Sequence, residues 1–444
     1  MKITAVKCFP VHPGWRKNLV FVKVETDEGV SGWGESFTQS DRDRTIVAQI
    51  EELGRYMVGR NPFHIKHTIR MVQVDFSGHR SSQELQAALS GIEQALWDIV
   101  GKATGQPVYN LLGGPCREKL RVYANGWSHG VGKPADMARA AEAIVTRGYT
   151  ALKFYPLPSP SRPYIPKEQE DHAVAVVKAV RAAVGPGVDI MIDIHRQLAP
   201  MHAVSLGKRL EEYAPSWIED VCPTEDLDGM ARVRSHVRIP VVAGEAIYTK
   251  AGFRAAFEKG AVDIINPDVG SIGGILELKE IGAMAESYFV AVSPHNYNST
   301  AIGLAASAHV SALMPNFTIL EYFVSFEEFG RAVCRDSLQP VAGYSRCASP
   351  RTRCHDSIAA PPRETITLSL PRAGRSAGVS AQPGDVTGYE FPLPKPSKLR
   401  AFMRRSLPIP ASVVTPSSAM SRSISSRSSL IAWLTPGSPP IAAA

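Results

Sequence analysis

The chain has 444 residues, 44% of them hydrophobic and 20% charged, the composition of an ordinary globular protein with room for two domains and a sizeable core. No apolar run reaches transmembrane length and the start, MKITAVKCFPVHPGW, lacks a signal-peptide pattern, so a cytoplasmic protein without a membrane partner is expected. The net charge of +7 would invite a nucleic-acid reading, but 13 Lys and Arg against 4 Asp and Glu lie between Ser345 and Ala444, leaving 36 against 38 before them.

Residues 2–36 read as strands joined by tight turns: KITAVKCFPVH alternates, LVFVKVET is β-rich, and DEG precedes VSGWGE. Ser40 or Asp41 is placed to cap a helix with Ile46, Ile50, Leu53 and Met57 on one stripe, stopped by Gly59. A second long helix is predicted from about Ser82 to Gly101, with Leu85, Leu89, Ile92, Leu96 and Ile99 at three- and four-residue steps. Strands followed by helices make residues 1–115 an α+β capping domain.

From Cys116 the pattern becomes strict alternation of strand and helix. VYANGW is read as the first barrel strand, a helix spans about Ala135 to Arg147, ALKFY is the second strand, and a helix from Lys167 to Val184 leads to DIMIDIH. WIEDV, VVAGE, DIINPD, FVAVSPH and TILEY follow. Eight strands with interleaved helices predict a (β/α)8-type barrel over 116–325, with a return segment toward the cap at 326–344.

Barrels of this kind place their chemistry at the C-terminal ends of the strands. Here those ends carry Lys153, Asp193, His195, Glu219, Glu245, Asp268, His295 and Glu321. Asp193, Glu219 and Glu245 stand 26 residues apart in turn, one strand, one helix and two loops per step. Three carboxylates at one rim are hard oxygen ligands, which suit Mg²⁺ better than a softer metal. Any one acid after an apolar run is more readily an N-cap or a solvated loop residue; three in even register are not. Asp193 and His195 are two apart and face the same way in a strand, and Asp268 on the strand before His295 is placed to fix its tautomer.

These residues, with KITAV, VETDEGVSGWGE and ALSGIEQALWDIVGKATGQPVYNLLGG in the cap and IDIH, WIED, AGE, INPDVGSIGGI, SPH and ILEY in the barrel, resemble the enolase superfamily in its mandelate racemase branch. Within it the likeness is strongest to the galactonate dehydratase-type acid-sugar dehydratases, over residues 1 to about 344. The resemblance implies Mg²⁺ held by Asp193, Glu219 and Glu245, a base His295 oriented by Asp268, His195 as the acid that protonates the departing hydroxyl, and Lys153 and Glu321 near the substrate. It implies a lyase that converts an aldonate or aldarate to a 2-keto-3-deoxy acid, acting as a homo-oligomer on a small sugar acid, with no nucleic-acid partner.

Racemases of the family carry a second Lys two after the first on the second strand; Tyr155 stands there in this chain. WIEDVCP also departs from the two glutamates and proline common in relatives. An epimerase or sugar-lactone cycloisomerase using the same base and metal is the alternative activity. A silent barrel whose basic tail binds acidic surfaces is the alternative from another class. The cap segments PVHPGWRKN and DFSGHR offer His12, Trp15, Arg16, His79 and Arg80 as specificity residues.

The six cysteines form no CxxC pair and no framework spacing, which fits free thiols. Residues 345–444 hold 14 of the 34 prolines and Ser/Arg-rich runs without periodicity, the signature of a disordered basic tail. The abrupt change after DSLQPVAGY leads us to expect loss of the coding frame near Tyr344, the alternative being a genuine basic extension that binds an anionic partner. Resequencing the source DNA tests this: a disruption at that point is expected, and an uninterrupted frame refutes it.

Overall fold

The computed structural model describes residues 1–13, 17–39, 42–158, 163–297, 299, 301–334 and 338–346. Trp15, Arg16, Ser40, Asp41 and nearly all of the basic tail lie outside the described residues. Among the described residues, Cys8, Cys116 and Cys222 are free thiols, and no helix is long and apolar enough to cross a membrane.

The β-rich start folds as an antiparallel meander of β1 (Ile3–Val11), β2 (Leu19–Thr26) and β3 (Ser31–Ser36). Against it pack α1 (Asp43–Met57), whose stripe Ile46, Ile50, Leu53 and Met57 is buried, and the long α2 (Gln83–Thr104). Ser82 caps α2 by accepting the Leu85 N–H at 3.2 Å, and Gly105, in the left-handed region, ends it. Between them the chain forms a short helix, Ile65–Arg70, and a π-helical turn, Met71–Phe76, that periodicity does not reveal.

The motif VSGWGE has a steric reason. Strand β3 lies directly on α2, and a Cβ on Gly32 would collide with the Ala95 carbonyl and one on Gly34 with the Gly91 carbonyl. Two backbones approach where side chains would keep them apart.

The second half is the expected α/β architecture. Eight parallel strands follow: β4 (Lys119–Asn125), β5 (Ala151–Phe154), β6 (Asp189–Asp193), β7 (Trp217–Glu219), β8 (Val241–Ala243), β9 (Ile264–Ile265), β10 (Ala291–Val292) and β11 (Leu320–Phe323). They pair in sequence order, and β11 returns beside β4. A bridge between Val292 and Phe317, with the Thr318 N–H donating to the Val292 carbonyl at 2.9 Å, joins β10 to the start of the last strand. A further strand, β12 (Tyr344–Arg346), pairs antiparallel with the start of β4.

The strands differ from the sequence expectation at their ends. The first begins at Lys119 and stops before Gly126, whose φ of 78° turns the chain, so Trp127 is not in it. The late strands are two residues long, so Asp268 and His295 stand beyond β9 and β10, linked to each other by a parallel bridge.

Period-two alternation builds the interior in layers. Tyr123, Ala151, Met191, Trp217, Val242 and Ile319 point inward and form an apolar floor, with the Tyr123 and Trp217 rings edge to face at 5.5 Å. Two residues further along their strands stand Asn125, Lys153, Asp193, Glu219 and Glu321. The helices pack their apolar faces outside the sheet on Leu152, Ile190, Ile218 and Val241.

The cap rests on the rim. The Phe37 N–H donates to the Gly270 carbonyl at 2.9 Å, and Glu93 of α2 accepts the Ile275 and Leu276 N–H groups at 2.7 and 2.9 Å, capping the helix Ile275–Ser287. Replacing Gly34 by Ala is expected to cost about 1–3 kcal/mol by forcing β3 from α2. Urea denaturation should show a lower midpoint at unchanged slope; an unchanged midpoint contradicts the close-packing account.

Candidate active site

The charged layer is a connected network. Lys153 Nζ, 1% exposed, donates to Glu219 Oε1 at 2.6 Å and lies 3.1 Å from Glu321 Oε1 and 3.9 Å from Asp193 Oδ2. Asp193 meets His195 Nε2 at 2.9 Å and accepts the His195 backbone N–H at 2.8 Å. His295 holds Asp268 Oδ2 through Nδ1 at 2.6 Å and Glu245 Oε2 through Nε2 at 2.9 Å, with Glu321 Oε2 3.7 Å away. All eight strand-end residues singled out from the sequence therefore join one cluster.

Four members were not anticipated. Arg196 Nη1 bridges Asp220 and Glu245, the latter at 2.5 Å. Asn266 donates to Glu219 Oε1 at 3.0 Å, and Asn125 to Glu321 Oε1 at 2.6 Å. Arg196 follows His195 directly, and both have left-handed backbones, with φ of 61° and 51°; that turn swings the arginine over the rim. A strand reading of IDIHR alternates the two to opposite faces and so misses it.

Burial and partner charges oppose one another throughout the cluster. Burial pushes the Glu219 carboxyl up to about 8, although Lys153 pulls it down. Burial and the Glu245 charge together raise Asp220 to about 7 against Arg196. Burial works against the charge on Lys153, yet Glu219 and Glu321 hold its pKa well above the usual lysine value. Desolvation disfavours the His295 proton, and Glu321 and Glu245 outweigh it, keeping the imidazole well above its ordinary range. His195 is raised to about 9, desolvation again opposing and Asp193 prevailing.

Among the described residues, no group of three or more His, Cys, Asp or Glu side chains is arranged as it stands to hold a metal ion. Asp193, Glu219 and Glu245 each turn to a different basic partner: His195, Lys153, and Arg196 with His295. The donor set nevertheless suits a hard cation. Six carboxyl groups, Asp193, Glu219, Asp220, Glu245, Asp268 and Glu321, face Lys153, Arg196 and two imidazoles, an excess of two even with both rings charged. Buried oxygens Asp220 Oδ1 and Asn266 Oδ1 have no hydrogen-bond partner.

The cluster opens into a cavity of about 1310 Å³ whose wall includes Asp193, His195, Arg196, Glu245 and His295. Its cap side is formed by Lys17, Phe37, Gln39 and Arg42. His12, His79 and Arg80, the cap residues offered by the sequence, are not in that wall. His79 lies on the turn after the π-helical segment instead. Tyr155 stacks on His195, ring centroids 5.0 Å apart, and donates to Gln197 at 2.8 Å.

The comparisons with known proteins agree with the fold of a cap followed by an α/β barrel. Residues 9–113 match the mandelate racemase/muconate lactonizing enzyme N-terminal domain and residues 136–350 the enolase C-terminal domain-like family. The chain is 38% identical over 327 residues to a D-galactonate dehydratase of Ralstonia pickettii, covering 72% of this chain and 81% of that one. It is 35% identical to a D-gluconate dehydratase of Thermoproteus tenax, covering 70% and 62%. Among solved structures, a mandelate racemase/muconate lactonizing enzyme-like protein from Roseovarius superposes with a TM-score of 0.73 at 33% identity, covering 78% and 90%. A mandelate racemase/muconate lactonizing enzyme from Sulfitobacter gives 0.72 at 34%, covering 78% and 91%.

Lys153→Met would leave Glu219 and Glu321 buried without their cation, a loss expected to cost about 3–5 kcal/mol. The deficit should widen as pH rises above about 8, where Glu219 has lost its proton in the native protein but, without Lys153, still holds it in the folded variant. Denaturation of both proteins across that range checks it; a pH-independent difference contradicts the charge account.

Proposed function

Because the chain belongs to the mandelate racemase/muconate lactonizing branch of the enolase superfamily, we propose that it is a Mg²⁺-dependent acid-sugar dehydratase. In this reading it removes the proton next to the carboxylate and expels the hydroxyl on the next carbon. The enol that remains becomes a 2-keto-3-deoxy acid. The observation that carries the proposal is that two imidazoles, each held by a carboxylate, stand just beyond the ends of two different strands in one cavity wall.

His295 is assigned the base. In the cluster as it stands Glu321 and Glu245 keep the imidazole protonated; with Glu245 turned away as a metal ligand, Nε2 would give up that proton and accept the α-proton, while Asp268 on Nδ1 fixes the tautomer and stabilises the imidazolium that forms. His195 is assigned the acid. Asp193 raises its pKa, so it holds a proton at neutral pH to give to the departing hydroxyl. Lys153 and Glu321 sit at the substrate side of the floor, where Lys153 supplies positive charge to a carboxylate gaining electron density.

Asp193, Glu219 and Glu245 are assigned as the ligands of Mg²⁺, whose chemistry would be to offset the second negative charge that develops on the substrate carboxylate. Tyr155 supports elimination over racemisation or epimerisation. The place where a second lysine would serve the opposite face of the α-carbon holds a phenol packed on His195. The D-galactonate and D-gluconate dehydratases among the relatives point the same way. His295→Asn is expected to abolish exchange of the substrate α-proton in heavy water, followed by proton NMR; exchange at the wild-type rate would overturn the assignment.

A further inference from the structure

Two motifs of the sequence, ALSGIEQALW on α2 and INPDVGSIGG after β9, meet where the cap rests on the barrel rim. Ser90, Glu93 and Gln94 stand three and four residues apart, on one face of the helix. The Gly273 N–H donates to Ser90 Oγ at 2.8 Å, and the Ile275 and Leu276 N–H groups donate to the two Glu93 oxygens at 2.7 and 2.9 Å. Gln94 Nε2 reaches the Val269 carbonyl at 3.4 Å. Gly273 and Gly274 have φ of 109° and 103°, and a Cβ on them would press on Gln86 Oε1 and collide with Glu93 Oε2, so the loop backbone lies directly on the helix face.

That loop begins at Asp268, the carboxylate that orients the assigned base. Asp268 Oδ1 accepts the Gly270 N–H at 2.7 Å, its carbonyl accepts the Ser271 N–H at 3.0 Å, and Oδ2 meets His295 Nδ1 at 2.6 Å. The His295 N–H in turn donates to the Pro267 carbonyl at 3.2 Å. A continuous run of hydrogen bonds therefore joins one face of the cap helix, through residues 268–276, to the imidazole. Glu93 makes two of its links and takes a third donor, Trp97 Nε1, at 2.8 Å. Burial pushes its carboxyl up to about 8 while those donors pull the other way. A buried acid is costly, and the N–H groups it satisfies are what offsets the cost here.

We propose that Glu93, with Ser90 and Gln94, is a positioning residue for proton transfer: the cap helix fixes the loop that carries Asp268, and through Asp268 it sets the orientation of His295. A docked cap is then a condition for a working base. This rests on the assignment of His295 as the base. None of the three cap residues is in the cavity wall, so their effect reaches the reaction through the loop and not through the substrate.

The test is hydrogen–deuterium exchange of the full-length protein, read by mass spectrometry of its peptides, which needs neither substrate nor metal. Glu93→Ala is expected to speed exchange about tenfold over residues 268–278 and also over 293–297, across the Asp268–His295 contact. Ser90→Ala, which removes one acceptor, should give about threefold, and Glu93→Gln should restore most of the protection. Ile50→Val, a change in the cap core that breaks none of these hydrogen bonds, should leave both segments as they are. In assays of keto-acid formation Glu93→Ala should lower kcat about tenfold and hold KM within about twofold, since no substrate contact is removed. Faster exchange confined to 275–278, or the same pattern in Ile50→Val, reduces Glu93 to a helix cap and overturns the proposal; so does a raised KM at unchanged kcat. Near-ultraviolet circular dichroism checks folding, and Ser90→Ala carries both readings if Glu93→Ala does not fold. If the wild type dehydrates no acid sugar, the proposed activity falls and exchange alone decides the clamp: spread to 293–297 upholds it, and no spread overturns it.

Discussion

The buried ammonium of Lys153 is the constraint on which the rest of the barrel mouth depends. Three carboxyl groups from three other strands, Asp193, Glu219 and Glu321, lie within 4 Å of it, and none of the three would stay charged there unaided. Glu219 shows how finely this is balanced: even with Lys153 in contact its carboxyl is pushed up to about 8 by burial. A cluster so rich in acid is poised to take a further positive charge. That property, more than any one distance, connects the fold to the chemistry proposed for it.

The layered interior explains why this arrangement is tolerated. The strands carry an apolar residue and then, two positions on, a charged one, so Tyr123, Met191 and Trp217 form a dry floor beneath the charges. The floor is not passive, since the Trp217 indole donates to Glu219 Oε2 at 3.0 Å and the Tyr123 ring lies 5.4 Å from Lys153 Nζ. The same alternation that closes the hydrophobic core thus delivers the polar groups to one end of it.

That alternation is why the barrel and Lys153, Asp193, Glu219 and Glu321 were legible in the sequence, whereas His195, Glu245, Asp268 and His295 stand just beyond their strands and were legible only as polar residues closing short apolar runs. Runs such as DIMID and WIE announce both the strand and the direction of their terminal acid, and the apolar stripes of α1 and α2 announce the cap helices. Arg196 was not legible, because its place depends on two successive left-handed residues that no periodicity encodes. The cap contribution was misplaced for a different reason. Which loop overhangs the barrel is decided by contacts between distant segments, such as Phe37 with Gly270, so Lys17 and Arg42 line the cavity while His79 and Arg80 do not.

Arg196 and His295 now occupy Glu245 between them, and Lys153 occupies Glu219, so basic side chains stand where the proposed function calls for a cation. The most direct measurement is proton NMR of the wild-type protein incubated with a panel of aldonates and aldarates, with Mg²⁺ and after its removal by chelation. The account predicts that at least one acid sugar gives a 2-keto-3-deoxy acid and that chelation stops it reversibly. Undiminished turnover after chelation, or no product from any acid sugar with Mg²⁺ present, would contradict it.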